Sequence, residues 1–282
     1  VQNSNPIYNH PNWQASLELE FSATEKGSKL CKNLHYGPLM VQKPFYPESP
    51  EVCHVYLLHP PGGVVHGDQL DLKVKVQEQA HALITTPAAG KFYRSDGKFA
   101  AMVQTLQLQD QAKLEWLPQE TLLFNRSKVQ LKTLIKLQKQ ARFIGWEMLC
   151  LGRKASAEPY TDGQCLQHFE VWRDESPLFI ERCQIDGSSP MLNSKWGMAN
   201  WPLTATFIAT HCTETELQAV QTLIETLTIK GHISATLKQD ALICRFLGEQ
   251  AEHARKAFIE IWKLIRPVVM EQKVQVPRIW NT

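Results

Sequence analysis

The sequence lacks every compact signature of a closed metal, nucleotide or disulfide centre. Its seven cysteines, Cys31, Cys53, Cys150, Cys165, Cys183, Cys212 and Cys244, are odd in number and widely spread, with no C-x-x-C pair. That pattern argues against a disulfide framework and a structural zinc site. Each stands in or beside an apolar strand-like run such as Met148-Leu149-Cys150-Leu151, where cysteine is expected as a small buried hydrophobe. The ten histidines form no H-E-x-x-H or H-x-H arrangement, and no G-x-S-x-G elbow exists. Charge of one sign is also missing: 30 basic against 28 acidic side chains give a net charge of +2, no footprint for a phosphate backbone, so nucleic acid is not expected as a partner. No stretch stays apolar long enough to span a bilayer, and the start, VQNSNPIYNHPNWQ, has no basic segment leading into an apolar run. A membrane is therefore not expected, and the cytoplasm is the expected location. No Pro/Ser-rich linker, charge block or short internal repeat is evident, so residues 1–282 read as one domain with residues 1–12 as a flexible leading segment.

What is present is alternation of apolar and polar residues. Leu17–Phe21, Leu70–Val76, Met102–Leu108, Leu114–Leu117, Val129–Leu137 and Cys165–Trp172 all carry the period of a strand with one face on a core. Arg173-Asp174-Glu175-Ser176-Pro177 reads as a hairpin connection. Val55–Leu58 and Ala82–Ile84 are continuously apolar and predict strands covered on both sides. Thr213-Glu214-Thr215-Glu216 has capping-box spacing and predicts a helix through Leu227. A second helical pattern runs from Glu249 and is expected to stop at Pro267. The fold class that follows is mainly β, one β-rich body with two α-helices toward the carboxyl end.

Two turn-rich blocks abut the buried strands: His59-Pro60-Pro61-Gly62-Gly63-Val64-Val65-His66-Gly67-Asp68 and Thr85-Thr86-Pro87-Ala88-Ala89-Gly90-Lys91-Phe92-Tyr93-Arg94-Ser95. Their glycines mimic a phosphate loop, but no Lys followed by Ser or Thr closes either one and Asp68 repels phosphate. His66 and Asp68 alternate along an extended segment and suit a metal, as in a metal-dependent hydrolase; a turn with Asp68 capping backbone amides explains them equally. Paired carboxylates such as Glu115 and Glu120 read more simply as solvated strand or turn positions.

Taken in order, Gly37-Pro38-Leu39, Lys43–Glu48, the two blocks, Leu114–Thr121 and Trp146–Arg153 resemble the UreD family of urease accessory proteins, called UreH in some organisms. The resemblance implies a helix-like winding of short strands and a non-enzymatic chaperone of nickel insertion. It also implies partners: apo-urease, UreF and, through UreF, the GTPase UreG. Nickel is then cargo in transit along an internal polar route, and no cofactor is tightly bound. Carried over position by position, the route candidates are Asp68, Thr85, Thr86, Glu120 and Glu181, with His66 as this chain's own variation where the family commonly has glycine. Ala88, where glycine is frequent, should keep a negative φ. The remaining alternative is an interaction scaffold that organises partners without conducting metal.

Overall fold

The computed structural model describes residues 13–281, so the expected flexible segment, residues 1–12, lies outside the described residues. Two sheets face each other. The first holds seven strands in the order β14 (Ser176–Asp186), β13 (Gln164–Arg173), β11 (Lys128–Leu137), β8 (Ala100–Leu108), β5 (Gln69–Val76), β1 (Gln14–Thr24) and β2 (Gly27–Tyr36). The second runs β16 (Gly231–Lys238), β17 (Ala241–Gly248), β15 (Leu203–Ala209), β12 (Arg142–Leu151), β9 (Lys113–Leu117), β6 (His81–Thr85), β4 (Val52–Leu58) and β3 (Met40–Val41). Short strands β7 (Gly90–Phe92) and β10 (Thr121–Leu123) attach beside β12. The chain crosses from one sheet to the other and back, so β1, β5, β8, β11 and β13 stack in parallel, as do β4, β6, β9 and β12. These stacked coils are a β-solenoid.

The crossings from the first sheet to the second expose a repeat that composition alone had hidden. Val76-Gln77-Glu78-Gln79-Ala80-His81, Leu108-Gln109-Asp110-Gln111-Ala112-Lys113 and Leu137-Gln138-Lys139-Gln140-Ala141-Arg142 are the same turn on successive coils. In each, the alanine amide donates to the first glutamine carbonyl, at 3.1, 3.1 and 2.8 Å. The three alanines are fully buried, because a longer side chain would not fit between stacked turns. One residue per turn, Gln79, Gln111 or Lys139, sits at positive φ. Gln109 N–H donates to Val76 O and Gln138 N–H to Leu108 O, so the backbone ladder continues around the corner. The expectation of no internal repeat is thus corrected; only the turns repeat, while the strands share a period and not residues.

The alternating segments form strands with one face in the core between the sheets, as β5 shows with Leu70, Leu72, Val74 and Val76 buried. β6, whose centre Ala82–Ile84 is continuously apolar, is buried at all five residues, since the first sheet covers one face and a helical layer the other. That layer holds α1 (Glu214–Thr226), capped by Thr213 and Glu216 as a capping box, and α2 (Ala251–Val269). Pro267 does not stop α2 but lies within its last turn. A proline there removes a single hydrogen bond, while burial of Ile265 and Val269 holds the turn in place. β2 was not legible, because its largely polar sequence lies at a sheet edge and is covered only near its start, at Ser28 and Leu30. Among the described residues no helix is long and apolar enough to cross a membrane.

Arg266 fastens the helical layer to the second sheet. This fully buried guanidinium donates to both oxygens of Glu115 on β9, at 2.9 Å each, and to both oxygens of Glu48, at 2.8 Å each. Trp262 of α2 donates its indole N–H to Glu115 at 2.6 Å, and His81 and His54 complete the network against Glu115 and Glu48. Burial pushes the Glu115 carboxyl up, but the His81 hydrogen bond and the Arg266 charge outweigh it and bring it down to about 2. Removing one member leaves the other charge buried and uncompensated. Arg266→Ala should therefore cost about 3–5 kcal/mol in urea unfolding. The contribution of Glu115 is present above the carboxyl's ordinary range and is lost as pH falls toward about 2; a loss near 0 for Arg266→Ala would contradict this role.

Candidate functional site

The two turn-rich blocks meet in space. Block one starts where β4 ends and block two where β6 ends, as the buried runs predicted. Val64 N–H donates to Lys91 O at 2.7 Å and Tyr93 N–H to Val64 O at 2.9 Å, so the blocks pair as a short parallel ladder. The row continues from Phe92 to Leu123 on β10 and Leu151 on β12, which places the separate motifs side by side. Gly63 is required there, because a Cβ would lie 2.1 Å from the Tyr93 ring. Ala88 stays outside the left-handed region, as expected for a non-glycine.

Behind the paired blocks lies a cavity of about 380 Å³ between the sheets. Gly62, Gly63, Thr86 and Ala88 line its loop side, and Gln104, Thr133, Glu147 and Gln167 its deep side. Glu147 sits mid-strand on β12, where Trp146 and Met148 point to the helices and the alternate position points between the sheets. Its carboxylate accepts from Gln167 Nε2 at 3.1 Å, and Thr133 Oγ1, also hydrogen-bonded to Glu147, lies 2.7 Å from Gln104 Oε1. Burial pushes this carboxyl up to about 7; the Thr133 and Gln167 hydrogen bonds oppose the rise and the Glu181 charge adds to it. Glu181, on β14, is the next carboxylate: it accepts from Thr206 at 3.0 Å and from Arg245 at 2.7 Å. The result is a polar seam from the cavity through Glu147 toward Glu181 and the partly exposed Arg245.

The six residues singled out in the sequence do not form one cluster. Thr86 lines the cavity and accepts from Gln119 N–H at 2.9 Å. Thr85 is fully buried beside it, its hydroxyl donating to Leu117 O and accepting from Trp280 Nε1. Asp68 is buried and caps the amides of Trp13 and Val65, at 2.9 and 3.0 Å. His66 points outward, 3.7 Å from Asp96. Glu120 faces Arg255 of α2 at 3.7 Å and leaves one buried oxygen without a hydrogen bond. Among the described residues no group of three or more His, Cys, Asp or Glu side chains is arranged to hold a metal ion. Sequence reasoning missed Glu147, Gln104, Thr133 and Gln167. The available signal was Glu147 itself, a lone carboxylate inside the apolar run Phe143–Leu151.

Because the folded-state value of Glu147 is raised, its favourable contribution is present at low pH and fades as pH rises through about 7. Glu147→Gln removes the buried charge. Relative to the wild type it should gain stability on the order of 2 kcal/mol between about pH 5 and about pH 8, read by urea unfolding at each pH. A difference that does not change with pH would contradict the buried, ionisable state.

Comparison with known proteins agrees with these motifs. A family profile described as UreD urease accessory protein matches residues 14–281. The chain is 43% identical over 285 residues to the urease accessory protein UreD of Alcanivorax borkumensis, covering 100% of this chain and 96% of that one. It is 40% identical to UreD of Saccharophagus degradans, covering 96% of this chain and 93% of that one. With UreD of Pseudoalteromonas translucida the identity is 42%, over 96% of this chain and 91% of the relative. With a profile match and such identities across nearly its whole length, the chain belongs to the UreD family of urease accessory proteins.

Proposed function

We propose that this chain matures urease without catalysing a reaction of its own: it binds apo-urease, recruits UreF and through it the GTPase UreG, and passes nickel along the seam between its two sheets. The observation that carries this reading is Glu147, a carboxylate enclosed in the body of a protein yet facing a cavity. A structural carboxylate so placed would ordinarily have a cationic partner, as Glu115 does in Arg266. Glu147 has amide and hydroxyl partners only, which leaves its charge free for an arriving cation.

Transit needs ligands that release the ion. Oxygen donors meet this requirement better than thiolate or imidazole clusters, whose affinity for nickel would trap it. In this reading Thr86 and Glu147 are successive waypoints, Glu181 is the next, and Glu120 supplies a carboxylate beside the cavity. Asp68 and Thr85 act by holding the walls, and His66 meets the ion at the surface. The cavity walls, Leu57, Phe92 and Leu131 among them, are largely apolar and add no competing ligands. A scaffold that organises partners without conducting metal would need no such carboxylate.

Co-expression of the urease operon with Glu147→Ala or Glu181→Ala, with assembly checked by co-purification, separates the two. The expected outcome is intact assembly, with urease activity and nickel content reduced at least about tenfold, one missing ligand corresponding to roughly 1.4 kcal/mol or more. Full activity and normal nickel in both variants would remove the conduit. Since nickel must displace the proton of Glu147, wild-type activation should also speed up as pH rises through about 7, and Glu147→Gln should flatten that dependence.

A further inference from the structure

The cavity behind the paired blocks is graded from apolar to polar. In the first sheet Leu70, Met102 and Leu131 stand in register on β5, β8 and β11, and Gln104 and Thr133 stand in register at the next inward-facing positions of β8 and β11. All of them line the cavity, because alternate residues of a strand share a face. These strands start at the loop end, so the apolar row lies toward the blocks and the polar row lies deeper. Met102, Leu131 and Glu147 are only partly buried although they lie between the sheets, since they look into open space. A core ordinarily closes to crystal-like density. The volume of about 380 Å³ left open here is that of a small-molecule site.

The polar end has the composition of a receptor for a cation. Its acceptors are the Glu147 carboxylate, the Gln104 amide oxygen and the Thr133 hydroxyl, tied together by the Thr133–Gln104 contact at 2.7 Å and the Gln167–Glu147 contact at 3.1 Å. The one charged group that acts on Glu147 is a second carboxylate, Glu181. The basic lining residues, His59 and Lys91, belong to the blocks on the loop side. An anion would meet repulsion at the polar end, and a neutral ligand would leave the carboxylate without a counter-charge.

The apolar row narrows the class of cation. A metal ion in transit uses the polar end alone and draws nothing from Leu70, Met102 and Leu131. That row, with the Phe92 and Trp116 rings on the side of the second sheet, is matched by a hydrocarbon body that displaces water from it. An ammonium group on such a body brings three N–H donors to the acceptors below.

We propose that the cavity binds an amphipathic organic cation, a primary ammonium on a compact apolar body, with the ammonium at Glu147 and the body against the Leu70, Met102 and Leu131 row. Such an occupant stands in the way of nickel, so it would act as a small-molecule brake on urease maturation. The brake rests on the functional reading above, whereas the binding itself does not.

The test measures binding to the metal-free full chain by calorimetry at about pH 8, where Glu147 is ionised. The probes share one body: cyclohexylmethylammonium, the neutral cyclohexylmethanol and the anionic cyclohexanecarboxylate. The ammonium should bind saturably and at least about tenfold more tightly than the alcohol, with the carboxylate weakest, because a buried charge-assisted hydrogen bond is gained only by the cation. Glu147→Gln should weaken the ammonium about tenfold or more and leave the alcohol unchanged. Leu131→Phe, which fills part of the apolar row, should weaken both, and Met102→Phe replaces it if urea unfolding shows that Leu131→Phe is not folded. No saturable binding, equal affinity for the three probes, or wild-type affinity of the ammonium for Glu147→Gln or for the filled cavity would each overturn the proposal. The ammonium should also slow nickel-dependent activation of urease in proportion to its occupancy. Binding with activation unslowed would count against the conduit and leave the binding site standing. Absence of binding together with blocked activation in Glu147→Ala would overturn the binding site alone.

Discussion

The bidentate contact between Arg266 and Glu115 is the interaction on which the architecture turns. It is fully buried, and it lies where α2 crosses the second sheet. Two long-range partners are fixed at once, because the same guanidinium also holds Glu48 in the segment before β4. Such a pair adds little net stability compared with apolar residues of the same volume, but it is intolerant of displacement. The helical layer therefore has one position on the sheet, and the sheet is covered on both faces.

Covering both faces determines where polarity can remain. On the helix side, Trp146, Phe207, Phe258 and Trp262 fill the layer with aromatic rings. On the inner side, core residues from both sheets close most of the space, but Gln104, Thr133, Gln167 and Glu147 interrupt them on neighbouring strands. Two carboxylates, Glu115 fully buried and Glu147 partly buried against the cavity, thus behave in opposite ways. Glu115 meets a guanidinium and is held ionised, down to about 2, while Glu147 meets only neutral groups and is pushed up to about 7. The first fastens layers together; the second keeps a vacant charge beside a cavity.

Much of the fold was legible because alternation reports one-sided burial and continuous apolar runs report two-sided burial. β5, β6, β11 and β13 follow directly from these patterns. β2 was not legible, since a largely wet edge strand needs no pattern, and Pro267 misled because position within a helix matters more than the residue type. The coil turns repeat as Gln-x-Gln-Ala, too short a motif to stand out before Ala80, Ala112 and Ala141 are seen stacked. The candidate site was less legible than the fold. Its polar residues come from four strands distant in sequence, so no local spacing joins Gln104, Thr133, Glu147 and Gln167. Asp68 and Thr85 drew notice as residues on turns, and their hydrogen bonds are those of turns and walls.

The central claim is that a divalent cation passes between the sheets beside Glu147. The most direct measurement is an anomalous difference map at the nickel edge from crystals of the chain assembled with its partners and loaded with nickel. The account predicts density in the cavity within coordination distance of Glu147, about 2.0–2.2 Å for an oxygen ligand by analogy with zinc, and none there in Glu147→Gln. Nickel found only at surface groups such as His66 and Asp96, with the cavity beside Glu147 empty of metal, would contradict it.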